Sequence, residues 1–216
     1  MIKAVIFDMD GLMIDSEFAT YEEYLKILND WGYEYNVEMY KHLLGKRKPN
    51  ILNVFKEQYN NQLDLDLLWD LCHERLDARL RANPPLKPGL MELLKYLKEN
   101  GYKMIIATSS VRDRVEAILG PIGVLDYFDD SVCGDEVVNG KPHPETFLKA
   151  CEKLGIKEEE GIVLEDSESG VMAAYNGNIP VICVPDLKYP EDDVASKATV
   201  IVKSLHDVID YLEQNK

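Results

Sequence analysis

The residues with the most chemical potential in this chain are acids in two close pairs, Asp8-Met9-Asp10-Gly11 and Glu165-Asp166-Ser167. Between them in the sequence lie a hydroxyl cluster, Thr108-Ser109-Ser110, and a lysine flanked by glycine and proline, Gly140-Lys141-Pro142. Four carboxylates gathered in one place repel one another, and a cation among them relieves the repulsion. Oxygen-only donors suit Mg²⁺, which keeps several waters and shares its shell with substrate phosphate. Such an ion would screen Asp8 enough for its carboxylate to approach a phosphate dianion, and aspartate is a covalent nucleophile in aspartyl-phosphate chemistry. Asp10 could protonate the leaving oxygen and afterwards deprotonate a water, a role that needs its carboxyl neutral in the first step. Thr108 offers a hydroxyl donor and Lys141 a compact positive charge for the transferring group. Glu165 and Asp166 would complete the metal site.

Each motif alone has an ordinary explanation. Asp-x-Asp-Gly is common in turns, Thr108 could simply end a strand, Lys141 could be a solvated surface lysine, and acids are favoured where a helix begins. Two known motifs are also mimicked and fail. An EF-hand loop aligned on Gly11 and Glu17 would have Ile6 as its first ligand, and a strand-like run replaces the entering helix. Gly134 to Lys141 has one residue too many for a P-loop, and Pro142 stands where Ser or Thr is required. The four motifs carry weight because of where the surrounding elements would put them.

Ala4-Val5-Ile6-Phe7 reads as a buried strand that ends at the first acids. Further apolar runs, Met104–Ala107, Ser131–Cys133, Gly161–Leu164, Val181–Val184 and Thr199–Val202, alternate with helical patterns. Among the latter, Leu90, Leu93, Leu94 and Leu97 have helical spacing, Val115, Ile118 and Leu119 suggest a short helix, and Pro144 and Gly155 bracket another. Helices are also expected from about Ser169 to Asn176 and, capped, from Ser204. Alternation of this kind implies βαβ units and a parallel sheet covered on both faces. Residues 16–84 are different: Tyr21, Tyr24, Leu25 and Leu28 start a helix stopped by Gly32, and residues 37–44, 50–59 and 65–82 continue in helical style up to Asn83-Pro84-Pro85. The expected organisation is therefore an α/β core of residues 1–15 and 85–216 with an all-helical insertion, Asp15 and Ser16 serving as hinge and cap. In open α/β sheets ligands bind beyond the carboxyl ends of the strands, where all four motifs fall.

At these residues the sequence resembles the haloacid dehalogenase superfamily, in the helical-cap subgroup that contains β-phosphoglucomutase and sugar-phosphate phosphatases. The resemblance rests on Asp8 to Glu17, Ile106 to Ser110, Gly140 to Phe147 and Leu164 to Gly170, and covers almost the whole chain. It implies a Rossmann-like three-layer core with a cap inserted after the first strand. It also implies Mg²⁺ held by Asp8, the Asp10 carbonyl, Glu165 and Asp166, and phosphate held by Thr108, Ser109, Ser110 and Lys141. Within the subgroup, β-phosphoglucomutases carry a histidine at the position of Thr20 and an arginine at that of Lys48. The absent histidine favours hydrolysis over mutation. The expected enzyme is a phosphatase of small phosphorylated metabolites, with a phosphomutase and a catalytically silent binding protein as the alternatives. Lys46-Arg47-Lys48, a cationic cluster in the presumed cap, could read a distal anion of the substrate or could be a solvated face.

The remaining composition sets limits. Twenty-four basic against 39 acidic residues give a net charge of −15, which disfavours nucleic acid and anionic membranes as partners. No apolar run approaches the ~20 residues that span a bilayer, and the first residues do not read as a signal peptide. Cys72, Cys133, Cys151 and Cys183 are scattered without a CxxC pair, which points to the cytoplasm. His42, His73, His143 and His206 show no metal spacing. A monomer is the default expectation.

Overall fold

The computed structural model describes residues 1–215 and divides the chain into two compact units. The first comprises Met1–Asp15 and the chain from Leu86 onward; the second is Ser16–Pro85.

The first unit is built on six parallel strands, β1 (Ala4–Phe7), β2 (Lys103–Ala107), β3 (Asp130–Val132), β4 (Gly161–Glu165), β5 (Val181–Cys183) and β6 (Val200–Ile201). Their spatial order is β3-β2-β1-β4-β5-β6, that of a dinucleotide-binding doubly wound sheet, with the strand order reversing between β1 and β4. All four residues of β1 and all five of β4 are buried, as the apolar runs of a sheet covered on both faces require.

The second unit contains no strand among its described residues and holds α1 (Ser16–Asp30), α2 (Val37–Lys41), α3 (Lys48–Gln58) and α4 (Leu65–Ala82). Asp64 caps α4 by accepting a hydrogen bond from the Leu67 amide at 3.0 Å. Beyond α1, Gly32 takes φ +84°, and the Tyr33 amide closes onto the Leu28 carbonyl. Helix α2 is shorter than the pattern over 37–44 predicts, because the chain turns at Leu43 and leaves helix before Gly45.

The helices of the first unit are α5 (Leu90–Glu99), α6 (Arg112–Leu119), α7 (Glu145–Leu154), α8 (Glu168–Asn176), α9 (Asp192–Ala195) and α10 (Leu205–Gln214). Ala4, Ile6, Ile105 and Val163 join a core with Phe147, Ala150 and Leu154 of α7 and Val171, Ala173 and Ala174 of α8. Helix α5 packs against α10, with Leu90, Leu93, Leu94 and Leu97 buried at the predicted spacing. Gly155 ends α7 in the left-handed region at φ +63°. The predicted cap at Ser204 takes a different form: its hydroxyl donates to the Asp207 carboxylate, which also accepts from the Lys203 amide. The chain runs into and out of the insertion side by side. Ile14 bridges to Leu86, the Lys87 amide donates to the Met13 carbonyl, and the Lys87 ammonium reaches Asp15 at 3.3 Å and Asp186 at 2.5 Å.

Leu94 is fully buried in this packing. Replacing it with alanine is expected to lower unfolding free energy by about 2–5 kcal/mol, the range for a truncated core leucine. Urea unfolding with an unchanged slope checks it.

Candidate active site

The register of β1 on β4 pairs Phe7 with Leu164, so Asp8 leaves the sheet beside Glu165. Neighbouring strands lie about 4.8 Å apart, which would force two carboxylates together at the switch point. Both are buried, at 7% and 1% exposure. Lys141 compensates them. Its Nζ lies 2.5 Å from Asp8 Oδ1 and 2.6 Å from Glu165 Oε1, and it also donates to the Ala107 carbonyl at 3.2 Å. The same ammonium sits 4.7 Å above the Phe147 ring, so β2, α7 and the loop before α7 together fix it. Burial alone would lower the lysine's pKa, yet Asp8 and Glu165 hold it above the ordinary value. For Asp8 burial dominates, raising its carboxyl to about 7 against the pull of Lys141, with Glu165 and Asp10 adding to the rise.

Glu165 is anchored on its other oxygen by the Ser167 amide and hydroxyl, each at 2.9 Å. Ser167 in turn caps α8 by accepting from the Gly170 amide at 3.1 Å. Gly170 cannot be larger, because a Cβ there would collide with the Glu165 carboxylate. Gly11 is constrained twice: it has φ +83°, and a Cβ would strike the carboxylate of Asp166. Oxygens of Asp8, Glu165 and Asp166 lie within 4.8 Å of one another, close enough to share one cation.

The Asp10 carboxylate faces other partners. Ser110 Oγ donates to its Oδ2 at 2.7 Å, and the Arg114 guanidinium approaches its Oδ1 at 3.2 Å. Thr108 is buried, and its hydroxyl accepts from the Ser110 amide at 3.1 Å. Ser109 is exposed on the same loop, its carbonyl lying against Gly134, where a Cβ would not fit. Glu165 ends β4, and Asp8, Asp10, Thr108, Ser109, Ser110, Lys141 and Asp166 belong to the loops beyond β1, β2 and β4 and to the turn before α7.

The cap residues singled out from the sequence lie in the second unit. The Thr20 hydroxyl donates to the Ser16 carbonyl at 2.7 Å within α1. Thr20 and Lys46 line a cavity of about 170 Å³ with Tyr40, Trp69 and His73. Arg47 precedes α3, and Lys48 places its ammonium 4.9 Å over the Trp69 ring, which itself stacks on His73.

Sequence reasoning did not single out Arg114, and it took in Ser167 and Gly170 only as members of a motif, without a role for either. A signal for Arg114 was present, since arginines at positions 112 and 114 open a helix, where the dipole disfavours positive charge.

Comparison with known proteins agrees with this architecture. The family model described as haloacid dehalogenase-like hydrolase matches residues 5–184. A phosphorylated carbohydrates phosphatase of Thermotoga maritima is 32% identical over 178 residues, covering 82% of each chain. The fructose-1-phosphate phosphatase YqaB of Escherichia coli is 31% identical over 183 residues, covering 83% of this chain and 95% of that protein. A solved structure from Thermotoga maritima, provisionally named a β-phosphoglucomutase, superposes with TM-score 0.82 at 28% identity, covering 99% of each chain. With the family model spanning β1 to β5 and relatives this similar over most of its length, the chain belongs to the haloacid dehalogenase-like hydrolases.

Proposed function

We propose that this protein is a Mg²⁺-dependent phosphatase of small phosphorylated metabolites, sugar phosphates above all, that works through an aspartyl-phosphate on Asp8. The observation that carries this reading is the cluster of buried Asp8 and Glu165, half-buried Asp166 and the Lys141 ammonium between the first two. With all three carboxylates ionised against one ammonium, two negative charges would be left over, the amount that one divalent ion would neutralise. The donors are all hard oxygens, which fits Mg²⁺ better than a thiolate- or imidazole-seeking metal. Asp8, Glu165 and Asp166, with the main-chain carbonyl of Asp10, would hold it. Bound there, the ion would neutralise charge on the phosphoryl oxygens and ease the approach of Asp8 to a dianion.

This chain's own groups supply the rest. Asp8 attacks phosphorus in line with the leaving oxygen, and Asp10 gives that oxygen its proton. Thr108 and Ser109 donate hydrogen bonds to the phosphoryl group, while Lys141 contributes charge that stays put because burial and Phe147 confine it. A water then attacks the aspartyl-phosphate, with Asp10 taking its proton, and releases inorganic phosphate. The phosphatases of carbohydrate phosphates among the relatives support the substrate class. Four buried free thiols suit a reducing cytoplasm.

A phosphomutase is the second reading, favoured by the solved structure that carries that provisional name. It would pass the phosphoryl group from Asp8 to a sugar hydroxyl instead of water. Against it stands Thr20, whose hydroxyl is occupied by the Ser16 carbonyl and which offers no group titrating near neutral pH.

Asp8→Asn is expected to lower Mg²⁺-dependent phosphate release from 4-nitrophenyl phosphate by about three orders of magnitude or more. Retained activity, or activity indifferent to chelation, would sink the mechanism. Metal binding has a readout of its own: Mg²⁺ should raise the melting temperature of the wild-type chain, by about 2.7 kcal/mol of stability at a hundredfold excess over Kd. Asp166→Asn should weaken that response. With a hexose 1-phosphate and trace hexose bisphosphate, free phosphate is the expected product. Hexose 6-phosphate without free phosphate would instead establish the mutase.

A further inference from the structure

Two arginines occupy the first turn of α6, and each is held there by acid. Arg112 pairs with Glu136 at 2.5 Å and also donates to Ser131. Arg114 pairs with Asp10, the only one of the two to reach a group assigned to the reaction. Its Nη2 donates to Oδ1 while Ser110 donates to Oδ2, so the two oxygens are gripped from one loop–helix segment. Asp10 itself sits in a tight turn, with the Met13 amide bonded to the Met9 carbonyl and the Gly11 amide to the Ile14 carbonyl, both at 2.9 Å. Backbone and carboxyl are therefore restrained separately.

Building on the reading of Asp10 as proton donor and acceptor, we propose that Arg114, acting with Ser110, is a positioning residue that aims the Asp10 carboxyl at the leaving oxygen. A carboxylate offers about four lone-pair sites. One donor on each oxygen leaves a site on each for the leaving oxygen or for water. The hold also survives the proton transfers. Asp10 in its acid form keeps acceptor capacity for Arg114, and the Ser110 hydroxyl can turn. In the first step the Asp8–phosphorus bond forms as the bond from phosphorus to the leaving oxygen breaks, and the Asp10 proton goes to that oxygen. In the second, water oxygen bonds to phosphorus, the Asp8–phosphorus bond breaks, and the water proton returns to Asp10. Arg114 exchanges nothing in either step. Its planar guanidinium fixes a direction that a lysine ammonium would fix less well.

General acid catalysis matters most when the leaving group is basic, so the test compares two aryl phosphates of like shape. Values of kcat/KM for 4-nitrophenyl phosphate and phenyl phosphate are measured for the wild type, Arg114→Gln, Arg114→Lys, Asp10→Asn and Asp8→Asn, with melting temperatures alongside. The proposal expects Arg114→Gln to lose about tenfold more on phenyl phosphate than on 4-nitrophenyl phosphate, a fraction of what a general acid contributes. Arg114→Lys should recover part of that gap. Equal losses on the two substrates, as general destabilisation would give, overturn the proposal, as does a wild type that already discriminates as strongly as Arg114→Gln. The underlying reading fails separately, if Asp8→Asn stays active or if Asp10→Asn opens no gap between the substrates. A gap in Asp10→Asn with none in Arg114→Gln leaves that reading standing and removes Arg114 from it.

Discussion

The contact on which the site depends is the bridge from Lys141 to Asp8 and Glu165. Parallel pairing in register leaves no freedom in where β1 and β4 end, so two acids that follow adjacent strands must meet. Their burial makes the meeting costly, which is visible in the Asp8 carboxyl pushed up to about 7. A buried ion pair of this kind contributes little net stability compared with well-packed apolar side chains. Stability therefore does not account for a lysine and two acids in the interior; the proposed phosphate chemistry would. The neighbouring small residues follow from the same crowding. Gly11 gives room to Asp166, Gly170 gives room to Glu165, and Ser167 satisfies the oxygen that Lys141 does not reach.

Much of the fold, and the meeting of the motifs at the strand ends, is legible in the sequence. Strand β1 is short, wholly buried and followed at once by an acid, so its boundaries were legible residue by residue, and α4 ran over the span its pattern marked. The four motifs were legible as sequence neighbours because each follows a strand, and the sheet order brings strand ends together. What sequence spacing could not show was the pairing among motifs. Ser110 reads as a phosphate donor beside Thr108 and Ser109, but its hydroxyl is on Asp10, a partner 100 residues away. Arg114 looks like surface charge on a short helix until the loop before it is placed. The short helix α9 and the 3₁₀ turns at Leu125–Tyr127, Gly134–Glu136 and Glu158–Glu160 have too few residues for any periodicity to register.

The charges around the insertion behave differently from those at the strand ends. Lys87 joins Asp15 and Asp186 just where the chain leaves and re-enters the core, so the two connecting segments are tied by an ion pair as well as by backbone. Asp15 and Ser16 read from the sequence as hinge and cap, and this clamp gives the neighbourhood of Asp15 a physical anchor. In the helical unit the cationic run 46–48 is not one uniform patch. Lys48 is drawn onto Trp69, a cation–π contact of about 0.5–1 kcal/mol at an exposed site, while Lys46 lines the cavity that Thr20 also lines.

Under the proposed reading, the residues of that cavity bear on the choice between water and a sugar hydroxyl as phosphoryl acceptor. A phosphoenzyme that waits for a second sugar hydroxyl has to restrain its base until the sugar is seated, and an imidazole in the cap can link the two events through its charge. Thr20 cannot change charge, and its hydroxyl proton is already given to the Ser16 carbonyl one turn back in its own helix. His73 also lines this cavity, but it lies flat against Trp69 with Nδ1 at 2.8 Å from the Trp69 carbonyl, so its ring is already oriented by its own helix. In the core, Asp10 is meanwhile held by Ser110 and Arg114, both supplied by the core itself. If Asp10 is the acid–base group, as proposed, its positioning comes from the core alone and does not wait for a sugar, which favours water as the acceptor.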